Sequence, residues 1–280
     1  MARALKPLLA VDGDSLAHRA YHALPKQIRR AGGRPANMIV GFTNMLVGLW
    51  EIVEPRATFV GFDTLTTPTY RHVAFPAYQS GREFPPDLLE QLDLLPELVA
   101  ALGFAHAKEP GYEADDFLGA VVAREEKKKN SVVVATSDRD LFQLASDRTT
   151  ILQPVRGVTE LAWVGPQEVR ERYGVEPKQV PDFIALRGDP SDRLPGAKGV
   201  GAKTAASILA QYGTLEAALE QGRFPAQAED LRLFRRIATV DASAPLPPLR
   251  DQTPKWVEAS ALTADWGLKA LSDRLAARAA

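Results

Sequence analysis

The residues of this chain whose types and spacing could do chemistry are carboxylates. Glu113, Asp115 and Asp116 stand together in GYEADDFLGA, ahead of an apolar helical pattern at Phe117, Leu118, Val121 and Val122. Gly111 can break the preceding segment, so the three acids fall in the first turn of a helix, where the macrodipole favours negative charge. Acidic capping of that helix would explain the triplet alone. It does not explain the others. Asp12, Asp63 and the pair Asp138 and Asp140 each follow a short apolar run, and an acidic loop carries Asp189 and Asp192. Nine carboxylates drawn to one place would repel one another and raise each other's pKa, so a fold keeps such a set only with cations. The chain has no Cys, which excludes disulfides and thiolate metal sites. His18 and His22, four apart on the next expected helix, could share a metal, but no third ligand is evident near them. The remaining ligands are hard oxygens, and these suit Mg²⁺ or Mn²⁺. Two such ions serve in-line displacement at phosphorus, with Arg71 and Arg82 available to clamp the scissile phosphate. The deduced chemistry is phosphodiester hydrolysis of a nucleic acid.

These acids need strands and helices to position them. Leu8–Val11, Thr58–Phe62 and Val132–Ala135 read as short buried strands, each running into acidic residues. A helical pattern covers Met38–Val53, and another covers Leu88–Leu102, with Pro96 expected to kink it. Alternating strands and helices predict an α/β fold with a mostly parallel central sheet and helices on both faces. Sites in such sheets lie beyond the carboxyl ends of the strands, where Asp12, Asp63, Asp138 and Asp140 fall. The stretch Thr64 to Pro86 is rich in Thr, Pro, aromatic and basic residues and has no apolar stripe. It is too long for an ordinary connection, which points to function or mobility.

From about Asp182 the chain changes character. FIALRGDPSDRLPGAKGVGAKTAASILAQYG reads as a helix, an acidic loop, a glycine hairpin and a second helix. It is no phosphate loop of the strand-linked kind, because Ala202 separates Gly201 from Lys203 and no strand precedes it. As a helix–hairpin–helix it makes sense: Gly199 and Gly201 let backbone N–H groups approach a phosphate, the following helix N-terminus attracts anions, and Lys198 and Lys203 add charge. A plain turn between packed helices is the alternative.

The bulk numbers set limits. The 280 residues can bury a sizeable core, and 45% hydrophobic with 25% charged content is ordinary for a soluble globular protein. No segment approaches the roughly 20 apolar residues of a membrane span, and the N-terminal apolar run is too short for a signal peptide. The expected location is the cytoplasm, with the nucleoid as the place of work. A net charge of -1 argues against nucleic acid at first sight. Setting aside nine of the 35 acids as one metal site leaves 26 against 34 Lys and Arg, a basic remainder that can meet phosphates.

VDGDSLAHRAYHA, FDTLTTPTYRH, GYEADDFLGA, TSDRDLFQL and GDPSDRLPGAKGVGAKTA together resemble the successive motifs of the bacterial 5′ nuclease family. That family includes the 5′–3′ exonuclease domain of bacterial DNA polymerase I and free-standing bacterial flap endonucleases. The resemblance implies a structure-specific enzyme that removes 5′ flaps and RNA primers in DNA replication and repair. It implies a first metal group of Asp12, Asp63, Glu113, Asp115 and Asp116, and a second of Asp138, Asp140, Asp189 and Asp192. Asp12, Asp116, Arg71 and Arg82 are the expected catalytic residues. Residues of about 64–102 resemble a helical arch through which a 5′ end is threaded. GAKGVGAKTA resembles a helix–three-turn–helix, with Lys198, Gly199, Gly201, Lys203 and Thr204 expected on DNA together with Tyr78 of the arch, and often with K⁺ on its carbonyls.

The implied division is a nuclease core at 1–181, the DNA-binding helices at 182–243, and a Pro-rich linker with one helix at 244–280. The implied partners are DNA with flaps, nicks or primers and a DNA polymerase in cis or in trans, with the chain itself a monomer. One position departs from the pattern: where the family's arch carries Tyr-Lys, this chain has Tyr78-Gln79. An RNA-specific nuclease of acidic-cluster type is a second reading, which the glycine hairpin disfavours. A catalytically dead binding module would carry Asn or Ser among the acids, and none is replaced here.

Overall fold

The computed structural model describes residues 6–65, 67–156 and 160–279. The first five residues, part of the N-terminal segment read above, and Thr66 of the expected arch lie outside the described residues. The chain begins with strand β1 (Leu8–Asp12), helix α1 (Gly13–Ala23), helix α2 (Asn37–Val53) and strand β2 (Ala57–Gly61). Short helices α3 (Tyr70–Ala74), α4 (Pro86–Leu92) and α5 (Leu95–Ala101) lead to β3 (Ala105–Ala107) and α6 (Ala114–Lys127). Strands β4 (Val132–Ala135), β5 (Thr149–Arg156) and β6 (Glu160–Val164) complete the sheet. Helices α7 (Pro166–Tyr173), α8 (Val180–Arg187), α9 (Ala202–Tyr212), α10 (Leu215–Glu220) and α11 (Ala228–Ala238) follow. The last two are α12 (Trp256–Asp265) and α13 (Lys269–Ala276).

The strand order is β3-β2-β1-β4-β5-β6, parallel except for the final β5–β6 pair. Alternate residues of each strand face opposite sides. Leu8, Ala10, Phe59, Val132 and Val134 pack against Phe117 and Val121 of α6, in a cluster that continues through Phe183 and Ile184 to Leu209, Leu231 and Phe234. Leu9, Val11, Val60 and Val133 face the other way, onto Leu16, Phe42, Leu46, Leu92 and Leu98, with Leu271 and Leu275 of α13 completing that layer. Each such side chain, fully buried, contributes about 1.5–3 kcal/mol. The registers Asp12↔Gly61 and Val11↔Ala135 bring the carboxyl ends of β2, β1 and β4 side by side.

Strands β1, β2 and β4 match the three read from sequence, and the mostly parallel α/β sheet is as expected. Three further strands carry too weak a pattern to read. β3 is three residues long, β5 contains Gln153 and Pro154, and β6 alternates weakly at an antiparallel edge. The single kinked helix expected over Leu88–Leu102 is two helices, broken just before Pro96. Its Leu88, Leu92, Leu95 and Leu98 are buried in the core and Leu89 and Leu94 are half-buried against it, so residues 86–101 of the expected arch pack on the body. The expected single C-terminal helix is also two, separated by Gly267 at φ +76°.

Candidate active site

The sheet order dictates where the acids meet. Neighbouring strands lie about 4.8 Å apart. Asp12 ends β1, Asp63 follows β2 by two residues, and Asp138 follows β4 by three, so all three cluster at the carboxyl end of the sheet. Gly13 permits the close approach of β1 and β2 there: a Cβ on it would lie 2.5 Å from the Phe62 ring and 2.6 Å from the Gly61 carbonyl oxygen. Asp12 caps α1, its Oδ1 accepting from Ser15 N at 2.9 Å, while its Oδ2 accepts from the Thr136 hydroxyl at 2.7 Å. Asp63 Oδ1 accepts from Ala114 N at 2.7 Å, at the N-terminus of α6, where the helix dipole favours an anion.

A cavity of about 700 Å³ opens over these strand ends. It is lined by Asp12, Asp63, Glu113, Asp115, Asp138, Asp140, Asp189 and Asp192. Eight of the nine predicted acids therefore share one space. A ninth lining acid, Asp14, is absent from the set read from sequence. Its Oδ2 accepts from Asp63 N at 2.7 Å, bridging the ends of β1 and β2. Its only signal is a second Asp after the same strand, in VDGDS, which reads equally as a turn.

Asp116 is the correction. It is fully buried and does not line the cavity. Arg71 donates from Nη1 to its Oδ2 at 2.8 Å and from Nη2 to its Oδ1 at 2.7 Å. Glu113 N and Asp241 N also donate to it, at 3.0 and 2.8 Å. Arg71 is itself only 3% exposed, lies 3.3 Å from Glu113 Oε2, and donates from Nε to the Ile237 carbonyl at 2.9 Å. The guanidinium fork is thus engaged within the fold: Arg71, expected to clamp a phosphate, and Asp116, expected as a metal ligand and catalytic residue, form a buried ion pair in this structure. Adjacent helical residues point about 100° apart, which is why Asp115 reaches the cavity and Asp116 does not.

Arg82 differs. Its side chain is 43% exposed at the cavity, donating to the Ser191 carbonyl at 3.1 Å and reaching Asp192 at 3.4 Å. Tyr78 is buried, with its hydroxyl donating to Glu113 Oε2 at 3.0 Å, so it offers no face to DNA. His18 also lines the cavity, packed against Phe84, and burial holds its pKa down. His22 packs edge-on to Tyr21.

Burial and mutual repulsion make the acid set costly. Burial raises Asp12 to about 6 and Asp14 to about 7, with neighbouring carboxylates adding to both. Asp192 rises to about 6 through burial, with Asp138 adding to it. Asp63, Asp115 and Asp140 stand well above the usual range, again by burial first and then by the charges of Asp14, of Asp138, and of Asp138 with Asp189. Among the described residues the carboxylates of Asp115 and Asp140 receive no hydrogen bond. No three acids or histidines among the described residues are gathered tightly enough to grip one ion as the side chains stand. Mg²⁺ keeps several waters and takes one or two carboxylates directly, so separated acids, two of them receiving no hydrogen bond among the described residues, fit it.

A stability prediction follows. Each of these carboxyls has its folded pKa raised above its unfolded value, so the folded state holds protons that the unfolded state releases. Below about pH 4 both states are protonated and no penalty exists. As pH rises from there the penalty grows, at about 1.4 kcal/mol per pH unit and per group. For Asp12 and Asp14 it is complete only above about 6 and 7, where the folded carboxyls also ionise. Chelator-treated protein is expected to melt at a higher temperature at pH 5 than at pH 8, and Mg²⁺ to flatten the difference. A flat metal-free profile would contradict the picture of a strained, uncompensated cluster.

The hairpin lies just beyond the acidic loop. Asp189 and Leu194 exchange backbone hydrogen bonds at 2.8 Å each, and Ala197 N donates to the Leu186 carbonyl at 2.9 Å. These bonds fold the loop back on α8. Asp189 accepts from Ser191 N at 2.8 Å and from Arg187 Nη2 at 3.0 Å. Lys198, Gly199, Gly201, Lys203 and Thr204 are all exposed around the start of α9. The fold of the hairpin depends on Gly196, at φ +72°, where a Cβ would lie 2.4 Å from Gly188 N. Gly196→Ala is expected to cost at least about 1–3 kcal/mol from the backbone conformation alone and to weaken duplex binding. Urea denaturation and a binding titration read the two effects, and unchanged values would show that the hairpin tolerates displacement.

The chain has matches among known proteins along most of its length. Residues 7–174 match the model of the 5′–3′ exonuclease N-terminal resolvase-like domain, and residues 175–259 match its C-terminal SAM fold. The chain belongs to the 5′–3′ exonuclease family. DNA polymerase I of Mycobacterium tuberculosis is 43% identical over 220 residues, covering 78% of this chain and 24% of that protein. The thermostable DNA polymerase I of Thermus aquaticus is 40% identical over 250 residues, covering 85% and 29%. The chain thus spans about a quarter of the length of the curated relatives it matches. The fold is also that of a bacteriophage T5 flap endonuclease solved with DNA and metal ions, with a TM-score of 0.68 at 20% identity and coverage of 96% and 97%. The catalytic core of Rad2 in complex with DNA substrate superposes with a TM-score of 0.61 at 15% identity, covering 97% and 92%. The reading of this exonuclease-family chain as an enzyme of the 5′ nuclease class stands on that membership, and so does the α/β fold expected for it. No helix among its described residues is long and apolar enough to cross a membrane.

Proposed function

We propose that the chain hydrolyses phosphodiester bonds at 5′ flaps, nicks and RNA primers in DNA replication and repair, with two Mg²⁺ or Mn²⁺ ions held in the acid cavity. The observation that carries this reading is the convergence of nine carboxylates from β1, β2, β4, α6 and the loop after α8 on one space. Asp12, Asp14, Asp63, Glu113 and Asp115 would hold one ion, and Asp138, Asp140, Asp189 and Asp192 the other. When bound, such a pair lowers the pKa of water and offsets charge on the leaving oxygen. The chain's own residues do the rest. Arg82 meets the phosphate at the cavity mouth. Arg71 and Asp116 hold Glu113 and the start of α6 in place. Lys198, Lys203, Thr204 and the open backbone at Gly199 and Gly201 grip the duplex, with K⁺ as a further ligand of that hairpin.

In this reading residues 1–181 form the nuclease core, 182–243 the DNA-gripping helices and 244–280 the closing tail. Residues 64–85, which cross from β2 to α4 beside the cavity, are the segment that a 5′ end passes. The chain works as a monomer in the cytoplasm at the nucleoid, beside a DNA polymerase in cis or in trans. Cleavage of a 5′-flapped duplex is expected to vanish on exhaustive chelation and to return with Mg²⁺ or Mn²⁺. Undiminished cleavage after chelation would refute the two-ion reading.

A further inference from the structure

Gln79 joins the two halves of the acid cavity. Its side-chain amide carries two hydrogens, and the structure uses both. Nε2 donates to Asp192 Oδ1 at 2.9 Å and to Tyr78 Oη at 2.8 Å. Tyr78 in turn donates its hydroxyl to Glu113 Oε2 at 3.0 Å. The relay therefore runs from a carboxylate of the loop after α8, through Gln79 and Tyr78, to the acid that caps α6. The backbone at Gln79 stands at φ +48°, a conformation uncommon outside glycine. Tyr78 is fixed as well, with its ring edge-on to His72.

We propose that Gln79 is a positioning residue: it aims Asp192 into the cavity without neutralising it, and so sets the cation affinity of that half of the site. The inference rests on the two-ion reading above. The chemistry of the amide makes the difference. A neutral donor orients a carboxylate and adds no charge of its own; Arg82 reaches the same oxygen at 3.4 Å from a 43% exposed side chain, so the amide at 2.9 Å is the shorter contact. An ammonium at the same place would pair with Asp192 and compete with that cation. A carboxylate there would repel Asp192. At residue 79, where the expected pattern is Tyr-Lys, the side chain present is thus a neutral amide that touches the carboxylate of Asp192.

Mn²⁺ binding to the whole chain, followed by calorimetry and by electron paramagnetic resonance, tests this alongside the Mg²⁺ dependence of flap cleavage. Gln79→Ala is expected to weaken one Mn²⁺ site about tenfold, in line with other residues that orient ligands, and to leave the other within about twofold. The Mg²⁺ concentration for half-maximal cleavage should rise by the same factor, with the rate at saturating Mg²⁺ nearly kept. Gln79→Lys should weaken that site further than Ala does. Thermal melting of each variant establishes that it is folded. Unchanged Mn²⁺ affinity in both variants overturns the proposal, as does a lost saturating rate at unchanged affinity, which would put the side chain on the substrate. Asp192→Asn separates the two levels. If it weakens Mn²⁺ binding while both Gln79 variants do not, the relay alone is wrong. If it too leaves binding unchanged, the two-ion reading falls and the proposal with it.

Discussion

Asp138→Asn combined with Asp140→Asn is expected to lower cleavage of a flapped duplex at least about 100-fold, while affinity for that duplex in Ca²⁺ holds or rises. The two side chains open into the cavity, and the Asp140 carboxylate accepts no hydrogen bond among the described residues, so its charge serves no local bond. Asp138 Oδ1 accepts from Asp140 N at 2.8 Å, and the amide oxygen of Asn can accept the same bond. The turn therefore survives the change. What is lost is negative charge where the two-ion proposal seats a cation, and an ion held less tightly orients water less well. Fewer carboxylates also repel the DNA backbone less. Stability should rise slightly, because both carboxyls are held above their usual range by burial and by neighbouring charge. Single-turnover cleavage in Mg²⁺, flap binding in Ca²⁺ and a thermal melt on the one double variant give the answer. Cleavage within about tenfold of the parent would remove these residues from the site.

Arg71→Met is expected to act in the opposite way, through the fold. It leaves Asp116 fully buried with its charge unpaired, and removes the bond that ties the Ile237 carbonyl of α11 to α3. Breaking one half of a buried ion pair costs about 3–5 kcal/mol. Asp116→Leu added to Arg71→Met should recover part of the loss, because two apolar side chains need no pairing. Urea unfolding of the two variants measures this. If Arg71→Met is as stable as the parent yet cannot cleave, the guanidinium acts on substrate after all.

Much of the site is legible in the sequence because the chemistry and the topology agree. β1, β2 and β4 are buried on both faces and so read as continuous apolar runs. The acid after each run is then placed by the rule that sites lie beyond strand ends. The residues 113–116 are harder. Their types announce an acidic helix start, but which of Asp115 and Asp116 faces the cavity depends on how α6 is rotated against the sheet. That rotation is set by Phe117 and Val121 packing on Phe59, a contact between residues far apart in the chain. Arg71 misleads for the same reason. A basic residue among acids reads as a phosphate clamp until its partner, Asp116, is seen beneath it. Gln79 shows in the sequence only as a departure from a pattern, and its role becomes visible when Asp192, 113 residues later, is found at its amide.

The two family models meet between Gly174 and Val175, yet the apolar cluster on one face of the sheet does not stop there. It passes without a break from Leu8, Phe59 and Val134 through Phe183 to Leu231 and Phe234. The strands that end in acids and the helices that carry the hairpin therefore share one apolar core, which favours their unfolding together. Free energy gained by a ligand that binds only the folded form stabilises everything that unfolds with its site. A duplex held at Lys198 and Lys203 would thus slow amide exchange in β1, which it never touches, and would help the sheet carry the electrostatic strain of its own active site.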